Sequence, residues 1–333
     1  MYELTRKTLI IVLCLMLSKM LHLTVSVYIV LFSIVIATTC YSSHIGEIIK
    51  RILPSLYAAI GAVIVNQAFA SHPFIIWTVS VIYFDYIRRK ANSNLKARVV
   101  TLPLFMIIFI NTYANSADYI LLIPEVLRDL VLSTLITGVV ASFINHIMPI
   151  KKAMVMPPIV SMAVTGADRL KMFLLVGLGL AFIMINEVTS AVFCLVPLIT
   201  SAMQPTHDLM KDHSRNKMLS QVGGCSLALI VSVLFSGTEI NLFTYLFIST
   251  VLVLTILWWC EHPDKEEGLI HSDALMGFLI PYQLYIGQYS NNFGLNSILL
   301  RAFELVVVLL IIYTIAYWLD RFTAQRTAAI SDK

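Results

Sequence analysis

Charge is scarce in this 333-residue chain: Asp, Glu, Lys and Arg make up 13% of it and apolar residues 59%, against about 25% and about 45–50% in soluble domains. That balance excludes an ordinary water-soluble enzyme. Cysteine is sparse too. Cys14, Cys40, Cys194, Cys225 and Cys260 lie in or beside apolar segments without CxxC spacing, so they read as small core residues rather than disulfide partners or metal ligands. The sequence lacks a phosphate loop, an HExxH pair and a GxSxG elbow, which removes the common signatures of nucleotide, zinc and serine-hydrolase chemistry. The expectation is a protein that is not an enzyme and carries no cofactor or metal. With 23 Lys and Arg against 19 Asp and Glu, it also lacks the clustered basic excess of a nucleic-acid binder.

What the chain does have is long apolar runs, near 8–22, 25–40, 52–69, 73–87, 99–115, 127–147, 170–186, 188–204, 218–236, 241–260, 272–289 and 297–319. A membrane-crossing helix needs about 20 residues, so twelve spans would leave only about seven residues for each loop or tail. The fold expected is an all-α polytopic membrane protein of about twelve transmembrane helices. With a cytoplasmic N-terminus, alternate loops hold 20 of the 23 cationic residues. This positive-inside asymmetry places both termini in the cytoplasm.

The segment 153–168, with Pro157 and Pro158, is too short and interrupted to cross, and reads as an interfacial linker. It separates a first six-helix half, 1–152, from a second, 169–321, followed by a tail at 322–333. The halves resemble one another. Arg6 and Arg169 open them, Gly61 and Gly224 share the same offset, and Arg128 and Arg301 begin each sixth helix. An even number of spans per half gives both the same orientation, as in parallel-repeat transporters.

Lys19, Arg128 and Arg301 are the cations outside the cytoplasmic set. A charge in the bilayer costs about 2.5–3.5 kcal/mol at a helix centre, so it persists for a partner or a function. Two readings stay open. Either the arginines are tied to Glu125, Asp129 and Glu304, or each half contributes a cation to a site for an anionic substrate. Asp85, Glu304 and Asp129 are the candidate proton-coupling acids. Asp85 also lies one turn from Arg88, Arg89 and Lys90, where an interfacial ion pair is the plainer reading.

The fifth and eleventh spans are the weakest as hydrophobic helices and occupy matching places in the halves. One holds Pro103, Asn111, Thr112 and Tyr113, the other Gly277, Pro281, Tyr282 and Gln283. Paired interrupted spans point to a transport site, so Asn111, Tyr113, Tyr282 and Gln283 join Lys19, Arg128 and Arg301 as candidate substrate-binding residues. Ordinary helix packing is the alternative for them.

An Arg-led first helix, a basic segment before a Gly-containing third helix (Gly46 to Gly61, Arg215 to Gly224) and an Arg-led sixth helix in each half resemble the fusaric acid resistance and aromatic acid exporter superfamily. The short bacterial members without the large cytoplasmic domain are the nearest in pattern. The Tyr-Trp pair common at the start of that superfamily's second helix is replaced by Val27 and Tyr28. The resemblance implies an inner-membrane efflux component of a Gram-negative bacterium that exports aromatic or other weak organic acids on the proton gradient. Its implied partners are a periplasmic membrane-fusion adaptor and an outer-membrane channel, besides the lipid bilayer itself; a homo-oligomer is compatible with the sequence. A non-transporting subunit or scaffold of an efflux complex is the first rival, and an intramembrane enzyme acting on a lipid carrier the second.

Overall fold

A computed structural model of the chain describes residues 2–39, 42–115, 123–150, 161, 163–186, 192, 195–204, 207–235, 241–260, 274–283 and discontinuous positions between 303 and 318. Among the described residues nearly all are helical and no strand forms. In chain order the helices are α1 (Tyr2–Met20), α2 (Val27–Thr39), α3 (Ile45–Ala68), α4 (Pro73–Lys90), α5 (Asn94–Asn115) and α6 (Ile123–Ile147). Next come α7 (Gly166–Met172), a π turn (Phe173–Gly177), α8 (Leu178–Asn186), α9 (Leu195–Ala202), α10 (His207–Leu234), α11 (Leu242–Cys260) and α12 (274–283).

Local chemistry explains several ends. The α1 helix stops with the Leu23 N–H on the Ser18 carbonyl and His22 at φ 48°, the left-handed turn that satisfies last-turn carbonyls. Pro73 opens α4 where its missing N–H costs nothing, and Arg88, Arg89 and Lys90 close it at the negative end of the dipole. A capping box starts α7, with Thr165 and Asp168 each bonding the other's backbone N–H. Helices α3, α5 and α10 begin earlier than the apolar runs at 52–69, 99–115 and 218–236, because backbone pairing continues through charged turns that hydropathy leaves out.

Among the described residues four segments are long and apolar enough to cross a membrane: Ile45–Ala68, Pro124–Ile147, Leu209–Leu234 and Leu242–Cys260. Helix α6 shows how such a helix is arranged. Its buried positions Asp129, Ser133, Thr137, Ala141 and Asn145 recur every four residues, and so do its exposed positions Val131, Leu135, Val139, Phe143 and Ile147, which are 41–60% exposed. The polar stripe faces inward and the apolar stripe outward. Water would penalise that apolar face; hydrocarbon accepts it, while buried hydroxyls and amides meet protein.

The chain forms two compact units, each drawn from separate stretches. The first comprises Met1–Ile60, Leu121–Pro157 and Leu219–Ala302. Within it α1 packs on α2, α6 and α11, and α2 on α6. Helices α1 and α6 run antiparallel, since Arg6 Nη1 donates to Asn145 Oδ1 at 2.5 Å while Cys14 faces Thr137. The second unit comprises Gly61–Ile120, Pro158–Met218 and Phe303–Lys333. There α4 packs on α5, α7 and the π turn, and α5 on α8 and α9.

Candidate functional site

In the first unit the proline-bearing helix α12, helical throughout 274–283, is held against α10 by reciprocal glycines. A Cβ on Gly224 would lie 2.5 Å from the Ala274 carbonyl oxygen and 2.7 Å from the Phe278 nitrogen, and one on Gly277 would lie 2.8 Å from Gln221 Cα. Only glycine lets the two backbones approach so closely. Pro281 has no N–H for the carbonyl four residues back, that of Gly277, and the Cys225 thiol donates to that oxygen at 3.4 Å. The close approach carries Tyr282 and Gln283 to α11 and α1.

There the candidate residues meet. Lys19 Nζ, in the last turn of α1, donates to the Gln283 carbonyl oxygen at 3.0 Å and stands 6.0 Å from the Tyr245 ring centroid. The Tyr245 hydroxyl donates to Gln283 Oε1, and the Ser249 and Tyr282 hydroxyls share a hydrogen bond of 2.9 Å. The rings of Tyr245 and Tyr282 stack at 5.5 Å. Gln283 is 1% exposed, and among the described residues its Nε2 donor has no hydrogen-bond partner. A buried amide donor left without an acceptor costs about 1–3 kcal/mol.

In the second unit the proline-bearing helix is α5, which runs unbroken through Pro103. Asn111 Nδ2 donates to Ser80 Oγ at 2.7 Å, and Asn66 Nδ2 donates to Asn111 Oδ1 at 2.6 Å and to the Ala62 carbonyl at 2.8 Å. This buried chain links α3, α5 and α4. Tyr113 stacks on Phe109 at 4.4 Å. The Thr112 hydroxyl is buried and, among the described residues, lacks a partner.

The remaining candidates lie elsewhere. Arg128, half exposed, pairs with Asp129 at 2.9 Å, and the buried Asp129 also accepts from the Val25 N–H at 2.8 Å just ahead of α2. Asp85 is held by Arg89 at 2.7 Å and by Arg169 at 2.6 and 3.0 Å. Glu304 is half-buried in the second unit, and Arg301 lies outside the described residues. In α7, Asp168 accepts from Lys171 at 2.8 Å and pairs at 3.8 Å with the buried Arg88, which lies one turn from Asp85 in α4. Burial pushes the Asp168 carboxyl up, but the Lys171 ammonium and the Thr165 N–H and hydroxyl outweigh it and hold it below the usual carboxylate range. Burial also lowers Arg88, with Asp168 opposing. Among the described residues no group of three or more His, Cys, Asp or Glu could hold a metal.

Tyr245, Ser249, Asn66 and Ser80 belong to these clusters and went unread in the sequence. Their signal is a hydroxyl or amide inside an apolar helix, which hydropathy averages away. The fold and the clusters define a class: a helical protein with the apolar helices of a membrane protein and polar side chains turned inward. Residues 6–144 match a family described as protein of unknown function (DUF2955). No curated protein and no solved structure matches the chain.

Proposed function

We propose that the chain is a membrane component of secondary efflux, a proton-coupled exporter of aromatic or other weak organic acids in the inner membrane. Both termini are cytoplasmic, and a periplasmic membrane-fusion adaptor and an outer-membrane channel complete the route. The carrying observation is the end of α12, where the Lys19 ammonium and the buried Gln283 Nε2 donor meet on one residue's backbone and side chain. An ammonium in a largely apolar helix attracts an anion, and the Gln283 amide, without a partner among the described residues, gives it a direction. The aromatic pair Tyr245 and Tyr282 beside them suits a ring-bearing acid. Arg301 supplies the second half's cation, and the coupling carboxylate is drawn from Glu304, Asp85 and Asp129.

Two observations support the six-helix repeat. The matched stretch 6–144 follows the bounds of the first half. The compact units also exchange segments reciprocally: one takes the first, second and sixth segments of the first half with the fourth and fifth of the second, and the other takes the complementary set. The third segments, α3 and α10, each divide between the units.

The second reading is a non-transporting scaffold, favoured by the ion pairs that engage Asp85 and Arg128. The experiment separates them. Liposomes containing the purified chain with its cytoplasmic face outward and an acidic lumen should accumulate labelled benzoate, and a protonophore should abolish this. Lys19→Gln should lose at least about tenfold of the rate with insertion intact. Absence of gradient-dependent uptake by the wild-type chain would replace the exporter with the scaffold.

A further inference from the structure

A groove of about 530 Å³ opens within the second unit, between α4 and the rod formed by α7 and the π turn. Ligand sites commonly fall in the range of about 300–1,000 Å³. Its walls are apolar, with Val81, Ile82, Leu170 and Phe173 among them, and its charged residues are Asp85, Arg89 and Arg169. Ile82 is 64% and Leu170 53% exposed, so this apolar surface opens sideways from the helices.

The wall is built for the opening. At the end of the π turn the Gly177 carbonyl accepts from Trp77 Nε1 at 2.8 Å, and Trp77 stacks edge-on against Phe173 at 6.3 Å. A Cβ on Gly177 would press on Val81 at 3.3 Å. π turns inside α-helices concentrate at functional sites.

Charge selects the occupant. Asp85 takes Nε and Nη2 of Arg169 and Nη2 of Arg89, while each guanidinium carries five donors, so both keep donors beyond those it uses. Arg88, Arg89, Lys90, Arg169 and Lys171 outnumber Asp85 and Asp168 around this end of α4. On the orientation proposed above, that end lies at the cytoplasmic surface, where anionic lipid accumulates against basic residues. An aromatic acid needs no sideways opening, whereas a lipid does.

We infer that this groove is a binding site for an anionic phospholipid, its phosphate on Arg89 and Arg169 and one acyl chain against Ile82, Leu170 and Phe173. The inference rests on the membrane orientation and is independent of whether benzoate is transported. Binding is therefore read on the purified chain, apart from any flux.

Native mass spectrometry of the full chain in detergent, titrated with phosphatidylglycerol or with phosphatidylcholine, reads it directly. The expected preference for phosphatidylglycerol is about 10- to 30-fold, falling to near parity in the Arg89→Gln/Arg169→Gln variant. Should that variant fail to fold, Ile82→Trp keeps both arginines and fills the groove, and it should remove the preference as well. Equal binding of the two lipids by the wild type, or an unchanged preference in either variant, would overturn the site. Displacement of phosphatidylglycerol by an equal concentration of sn-glycerol 3-phosphate would reassign it to a free phosphate, and displacement by benzoate to an organic acid; either result refutes the lipid.

Discussion

Replacing Gly224 by alanine brings a methyl group within 2.5 Å of the Ala274 carbonyl oxygen, 2.7 Å of the Phe278 nitrogen and 2.9 Å of the Gly277 carbonyl carbon. All three are backbone atoms, so no side chain can rotate away and α12 must move as a body. Overpacking of this kind costs about 1–3 kcal/mol. Its neighbour Gly223 meets nothing within 4 Å, and alanine there exchanges a poor helix former for the best one, a gain of up to about 1 kcal/mol. Two adjacent glycines in one helix should thus shift stability in opposite directions. Heating each variant in detergent and following the monodisperse fraction by size exclusion checks the sign, with Gly223→Ala above wild type and Gly224→Ala below it. Gly277→Ala attacks the same contact from the other side at 2.8 Å from Gln221 Cα, so its cost should not add to that of Gly224→Ala. If Gly223→Ala and Gly224→Ala behaved alike, the close packing of α10 and α12 would be wrong, and with it the placement of Gln283 beside Lys19.

Asn111→Ala strips the shared partner from Asn66 and Ser80 and should destabilise by about 1–3 kcal/mol; Asn66→Ala in that background should add much less than it does alone, as measured by a double-mutant cycle in detergent. Asp85→Asn removes a partner from two arginines that are 58% and 41% exposed, so its stability should change by no more than about 1 kcal/mol. Asp168→Ala instead leaves the buried Arg88 and Lys171 without their shared acid and should cost about 3–5 kcal/mol. Because the folded Asp168 carboxyl titrates below its unfolded value of about 3.9, its contribution is fully present above that pH and fades as pH falls through the lower folded value. Asp168→Asn should accordingly flatten the acid limb of a thermal-stability profile below about pH 4 and leave the neutral slope unchanged.

How far the chain could be read in advance depended on the kind of signal. Helix α2 is buried and apolar on nearly every side, and a run of that kind is visible to any hydropathy window. The early starts of α3 and α10 were not, because Lys50, Arg51, Lys211 and Arg215 sit in turns that stay helical without being apolar. The start of α7 lay inside the stretch read as a linker, although the Thr165 to Asp168 spacing is a legible capping box. Pro281 marked α12 as interrupted, yet that Cys225 answers its missing donor depends on packing 52 residues apart in the chain. The ion pair of Asp85 with Arg89 follows from i,i+4 spacing, whereas Arg169 is 84 residues away and no local pattern announces it. The four-residue recurrence of Asp129, Ser133, Thr137 and Asn145 was open to inspection, and helical spacing alone converts it into one face.

Everything proposed for Lys19, Gln283 and the lipid groove requires helices that turn polar residues inward and apolar ones to hydrocarbon. Nitroxide labels placed one at a time from residue 129 to 147 of α6, in the full chain reconstituted into lipid, test this by relaxation with oxygen and with a water-soluble nickel chelate. Oxygen accessibility should peak at 131, 135, 139 and 143 and fall at 133, 137 and 141, with the chelate excluded throughout that stretch. Chelate access peaking at 131, 135, 139 and 143 would place that face in water and contradict a membrane-embedded exporter.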